Sequence, residues 1–113
     1  MANSFVNKKV DLTTTSATTL YTVPTATTAI VKSILVSEDA GSGTTIDVTL
    51  VDASSNIFSL FKAKAVGSNT TVELLTQPLV LKESEALKAQ AADANELHII
   101  ASILEVKPRE VVT

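Results

Sequence analysis

The sequence predicts an all-β chain, an antiparallel β-sandwich of jelly-roll or immunoglobulin-like form with short N- and C-terminal arms. Three observations lead there. Thr, Val and Ile dominate over aromatics, which make up 4% of the residues, and β-branched side chains stiffen χ1 and favour the pleated strand. Breaks recur at short intervals: Pro24-Thr25, Ala40 to Gly43, Asp52 to Asn56, Gly67 to Asn69, Gln77-Pro78, Lys82 to Glu85 and Asp93 to Asn95. Spacing of about 8–12 residues per strand and turn is that of a sandwich or barrel. Finally, several segments between the breaks alternate apolar and polar residues with period two.

Residues 44–52, TTIDVTLVD, give the clearest alternation, with Ile46, Val48 and Leu50 against Thr45, Asp47 and Thr49. Other segments are apolar on both faces. AIVKSILV sets Val31 and Leu35 opposite Ile30, Ile34 and Val36; IFSLFKAK sets Ile57 and Phe61 opposite Phe58 and Leu60. LHIIASILEV sets Leu97, Ile99, Ala101 and Ile103 opposite Ile100, Leu104 and Val106. A two-sheet sandwich covers only the inner face of each sheet, so such strands call for a second cover, which a neighbouring subunit supplies. The segment 81–97 contains good helix formers, and a helix from Glu83 to Ala92 is the alternative there. A strand is preferred because Leu87, Ala89 and Ala91 share a face at period two. It is bounded by turns at Lys82 to Glu85 and Asp93 to Glu96.

The 113 residues suit one domain, with a core over about 12–106 and arms at 1–11 and 107–113. Phe5 and Val6 precede two lysines in the first arm; Val111 and Val112 follow Lys107-Pro108-Arg109 in the second. Pro108 has no amide donor and stops the last strand. A chain of this mass buries roughly two thirds of its unfolded surface, and it contains no cysteine, so neither disulfides nor thiolate metal sites are expected. Net charge is −3 and the nine Lys and Arg are dispersed, which argues against nucleic acid as a partner. No apolar run reaches the length of a membrane helix, and MANSFVNKKV lacks a signal-peptide pattern. Mean hydropathy of +0.31 with 45% hydrophobic residues is high for a small domain, and places apolar surface against another protein. The chain is therefore expected to be a homo-oligomer, with a trimer among its forms. Candidate interface residues are Ile30, Ile34, Val36, Phe58, Leu60, Ile100, Leu104, Val111 and Val112.

No catalytic constellation, cofactor site or metal site is expected. His98, on the face of Glu96 and Ser102, has no second histidine or nucleophile to work with. The carboxylate couples Glu83/Glu85 and Asp47/Asp52 do not converge by spacing. Asp52 to Asn56 lacks the glycine and terminal glutamate of a calcium loop and is read as an Asx turn. Gly41-Ser42-Gly43 opens a strand and is read as a hairpin turn, and the sequon Asn69-Thr70-Thr71 has no secretory context.

The run TTLYTVPTATTAIVKSILVSE, then a glycine turn, then TTIDVTLVD and the late PLVLKESEALKAQAADANELHIIASILEV, resembles small β-sandwich virion proteins of tailed bacteriophages. In that family a segment of the form LYTVPAG-T-A-V-SI-V-N recurs, and a LVL-xGD-LK-QA turn precedes the final strand. The likeness spans about residues 17–106; Thr25-Ala26 stands where the family has Ala-Gly, and Glu83-Ser84-Glu85 where it has Gly-Asp. The resemblance implies a non-enzymatic virion protein assembled in the host bacterial cytoplasm, with the major capsid protein or other virion proteins as partners. Its first form is a capsid decoration or cement protein stabilising the head. The alternative is a tail, neck or fibre-attachment component. A Thr-rich β-sandwich also leaves open a host-glycan adhesin, although few aromatics are available to stack on sugars.

Overall fold

The computed structural model describes residues 3–107. Nine strands run in chain order: β1 (Asn3–Leu12), β2 (Thr18–Thr22), β3 (Thr28–Glu38), β4 (Thr44–Val51), β5 (Ile57–Val66), β6 (Thr71–Glu73), β7 (Leu79–Leu81), β8 (Ala86–Ala91) and β9 (Leu97–Val106). Every pairing is antiparallel. Sheet A has the order β1-β9-β3-β6, with β7 also on the free side of β3, and sheet B has the order β2-β8-β4-β5. The first strand thus pairs with the last, the second with the last but one, the third with the broken strand β6/β7, and the fourth with the fifth. One long hairpin wrapped over two sheets is a jelly roll, so of the two expected topologies the immunoglobulin-like one is set aside.

The inner faces of the two sheets meet in one core. Ile46, Val48, Leu87, Ala89 and Ala91 from sheet B pack on Ala29, Val31, Ile34, Val36, Ile99, Ala101 and Ile103 from sheet A, all essentially closed to solvent. As expected, 86–91 is a strand rather than a helix, and Leu87, Ala89 and Ala91 point inward together. Its entry turn is closed by Glu85 N–H to Lys82 O at 3.0 Å, with the Glu85 carboxylate accepting from Lys82 N–H at 2.7 Å. Asp52 likewise builds the expected Asx turn in the β4–β5 hairpin. Its Oδ1 accepts from the amides of Ser54 and Asn56 at 2.9 and 2.8 Å.

Three expectations are corrected. Ile34 and Val36 do not face away from Val31: all three are buried. The register of β3 against β9 shifts between Val31 and Ser33, and one extra residue in a strand inverts the facing of everything beyond it. Residues 3–11, expected as part of an arm, belong to β1 and pair with β9 over its whole length, from Asn3 with Val106 to Leu12 with Leu97. Val6, Val10 and Leu12 keep one phase of the strand against the core, which is enough to hold the segment to the sheet. Gly41-Ser42-Gly43 is not a hairpin turn; it lies in the connection that carries the chain from β3 in sheet A to β4 in sheet B.

Candidate interaction face

Two carboxylates, Glu38 and Glu73, hold turns and a bulge of the backbone together. Glu38 continues the inward phase of Ile34 and Val36 and is itself buried. Gly41 and Gly43 adopt left-handed φ values of 84° and 72°, which lets successive amides turn toward one point. The Glu38 carboxylate accepts from the amides of Gly41, Ser42, Gly43 and Asn69 at 3.0, 3.1, 2.9 and 3.0 Å. Those bonds, the one from Asn69 foremost and opposed by burial, hold its carboxyl at about 2. Glu73 fills the gap left by the β3 bulge, accepting from Ser33 Oγ, from Ile34 N–H at 2.8 Å and from Leu75 N–H at 3.1 Å. Burial alone would raise its carboxyl, but these three bonds outweigh it and keep it below the usual carboxylate range. Across the core, Tyr21 of β2 donates to Glu105 Oε2 of β9 at 2.7 Å and ties one sheet to the other. Burial first, then the bond and the negative charge of Glu105, push the Tyr21 hydroxyl well above its ordinary value.

No buried side-chain nitrogen or oxygen lacks a partner among the described residues. Nor does any cluster of His, Asp and Glu among them form a metal site, and the same residues contain no helix long and apolar enough to cross a membrane. His98 is half-exposed on the outer face of sheet A, its Nε2 3.3 Å from Asp11 Oδ1 and its Nδ1 3.7 Å from Asp39 Oδ2. Glu83 is exposed while Glu85 caps a turn. Asp47 accepts from Ala63 N–H at 2.6 Å, at a bulge of β5.

What remains is a face. Antiparallel partners directly opposite one another point the same way, so the strand register defines transverse rows on the outer side of sheet A. One row is Phe5, Leu104, Ile30 and Val80, running through β1, β9, β3 and β7. A second is Lys9, Ile100, Leu35 and Glu73, running through β1, β9, β3 and β6. Between them lies a polar band, Asn7, Ser102 and Ser33, with Lys32 at the bulge beside it. Phe5 is 79% exposed, Val80 53%, Ile100 41% and Leu35 39%; Ile30 and Leu104 are half-buried. The outer side of sheet B is of a different character. Thr45, Asp47 and Thr49 of β4 stand beside Lys88 and Gln90 of β8, and the apolar residues in the same phase, Val51 and the exposed Ile57, sit together at the β4–β5 hairpin end.

Of the candidate interface residues, Ile30, Ile100 and Leu104 fall on the apolar face, whereas Ile34 and Val36 lie in the core. Phe58 is exposed on β5, and Leu60 lines, with Phe61, Leu74 and Pro78, an open hollow beside β5. Val111 and Val112 lie outside the described residues. Phe5 was noted only on an arm expected to hold neighbouring subunits, and Leu35 and Val80 were missed as interface residues. Val80 sits in the short apolar run Leu79-Val80-Leu81 after Pro78, where the facing is not readable, and the facing of Leu35 depends on the bulge.

No protein-family model and no curated protein matches the chain. Solved structures do. A protein of the disulfide-linked pili that form Bacillus endospore appendages aligns with a TM-score of 0.59 at 9% identity, covering 96% of this chain and 88% of that one. A pentameric capsid protein from metagenomic phage sequences aligns at 0.47 and 17% identity over 92% of this chain and 66% of that one. A family 22 carbohydrate-binding module of Clostridium thermocellum Xyn10B aligns at 0.43 and 21% identity over 86% and 66%. The likeness to the pilus protein establishes a shared β-sandwich architecture over nearly the whole chain.

Proposed function

We propose that this chain is a non-enzymatic, multi-copy structural protein of a phage particle, a decoration or cement protein that works by having its apolar face covered. The observation that carries this reading is the contrast between the two outer faces: rows of Phe, Leu, Ile and Val that cross the whole of sheet A, against a sheet B face of Thr, Asp, Lys and Gln with Val51 and Ile57 only at one end. Each large apolar side chain fully withdrawn from water contributes about 1.5–3 kcal/mol, proportionately less if half-buried already. Repetition over many copies makes such contacts cumulative. The absence of cysteine and the resemblance of residues 17–106 to tailed-phage virion proteins support the same reading. Jelly rolls recur in viral capsids and in lectins alike, so the fold supplies the architecture and the face supplies the argument.

A second reading, subunit of a tail or other appendage, draws on the architecture shared with the pilus protein. A cysteine-free chain could not be held in such a fibre by disulfides, and would depend on the same apolar contacts. Against glycan binding, the two most exposed aromatics stand apart, Phe5 on sheet A and Phe58 on β5 of sheet B, and form no common stacking platform. Imaging purified particles with and without the protein tests the proposal. Density for many copies over the head shell supports decoration, density confined to a tail or neck supports the second reading, and particles unchanged by its loss refute both.

A further inference from the structure

The rows on sheet A have a property that a surface evolved for an arbitrary partner would not need: each matches itself reversed. Phe5 at one end of the first row is answered by Val80 at the other, with Leu104 and Ile30 between. Lys9 at one end of the second is answered by Glu73 of opposite charge, with Ile100 and Leu35 between. We propose that a second copy of this chain covers the outer face of sheet A, the two sheets stacking about a two-fold axis that runs along the strands between β3 and β9. The inference deepens the structural reading above and rests on it for the claim that this face is covered.

Such an axis carries the β1 side of one copy over the β6/β7 side of the other without changing position along the strands. Phe5 then meets the partner's Val80, Leu104 the partner's Ile30, and Ile100 the partner's Leu35. Lys9 meets the partner's Glu73 at both rims. Lys32 faces the partner's Ser102 with the partner's Asn7 alongside, so the cation nearest the centre is set against side-chain oxygens. Stacked sheets turn by about 30° relative to each other, which keeps the pairs nearest the axis in contact and splays the outer ones.

The size is adequate. Four strands across at about 4.8 Å and ten residues along at about 3.3 Å give a face of roughly 630 Å². Two such faces bury roughly 1,250 Å², at the lower end of the range for stable specific interfaces, about 1,200–2,000 Å². Other routes to self-association are less suited. The free edge of β1 carries Lys8 and Lys9, and lysine on an edge strand opposes pairing with another edge. A two-fold stack uses the same face on both copies, so the assembly closes as a dimer.

Sedimentation equilibrium of the whole chain at about 100 µM, within the range where interfaces of this size associate, is expected to return twice the 11.9 kDa of the monomer. Replacing Leu35 and Ile100 together by Lys is expected to raise the dissociation constant more than about tenfold, because each ammonium would be buried without a partner. Both sites are partly exposed, and a urea midpoint near that of the parent shows that the variant folds. Ile57→Lys with Phe58→Lys, on β5, is expected to leave the dimer intact. A second approach uses the absence of native cysteine. In a Phe5→Cys, Val80→Cys variant the two sites lie about 14 Å apart across one sheet, yet face each other across a stack at about 10 Å. A bis-maleimide of that reach should couple two copies, and should not do so in Phe5→Cys alone. A monomer at every concentration, a dimer indifferent to the Leu35/Ile100 change or broken by the β5 change, or equal coupling in the single-cysteine variant overturns the stack. Particle imaging would still decide the structural reading, so the two can fail separately.

Discussion

Removing one oxygen atom from Tyr21 should loosen the two sheets measurably. Tyr21 and Glu105 are both buried, one in each sheet, and the Tyr21 hydroxyl donates to Glu105 Oε2 at 2.7 Å. Tyr21→Phe keeps the ring and its packing but leaves the Glu105 carboxylate without that donor. A buried hydrogen bond to a charged group contributes about 1.5–3 kcal/mol. In a domain slightly above 100 residues, 1 kcal/mol corresponds to about 4 °C in melting temperature, so a drop of roughly 6–12 °C follows. Calorimetry at pH 7 measures it, and a double-mutant cycle with Glu105→Gln isolates the pair. The pH dependence gives an independent check. A hydroxyl whose folded pKa lies above its unfolded value of about 10 contributes stability that is complete below pH 10 and is lost as pH rises beyond it. The parent should therefore lose stability above pH 10 more steeply than Tyr21→Phe. A drop below about 2 °C with parallel alkaline profiles would refute the inter-sheet tie.

Glu38 should govern behaviour in acid. Its carboxyl, held at about 2 against an ordinary 4.5, contributes stability that is complete above about pH 4.5 and is lost as pH falls toward 2. Glu38→Gln should be less stable at pH 7 and show a flatter urea-midpoint profile over that window; an unchanged profile would mean that the four amides do not govern the carboxyl. The bulge in β3 yields a paired test: Ile34→Ala should cost about 2–5 kcal/mol as a core truncation, whereas Ile30→Ala, four residues earlier on the outer face, should cost about 1 kcal/mol or less. Equal losses in urea unfolding would place both residues on the same side of the sheet.

How much of this was legible depends on whether local pattern or distant pairing decides the outcome. The strand at 86–91 could be read because Leu87, Ala89 and Ala91 hold one phase between two turns, and the inward face of β9 because Leu97, Ile99, Ala101 and Ile103 hold one phase with no bulge between them. The facing of β3 could not be read with period two alone. Lys32-Ser33 lies inside an apolar run, and only the pairing with β9 and the carboxylate of Glu73 make the extra residue visible. A glutamate in phase with Ile34 and Val36, just before Gly41-Ser42-Gly43, was in hindsight the signal for the Glu38 site, since a buried carboxylate needs several donors nearby. Residues 3–11 looked like part of an arm because the segment is short and largely polar, with Lys8 and Lys9 in it. They are instead an edge strand whose lysines guard it. The apolar face emerged only when register joined residues far apart in sequence, Phe5 with Leu104, and Ile30 with Val80.

The most direct test of the claim that the outer face of sheet A is the working surface is the amount of this protein carried by purified particles when that face is altered. Quantitative mass spectrometry of particles should find the Leu35→Lys, Ile100→Lys chain folded but incorporated far below the parent level, while Ile57→Lys, Phe58→Lys is incorporated normally. Parent-level incorporation of the sheet A variant would contradict the account.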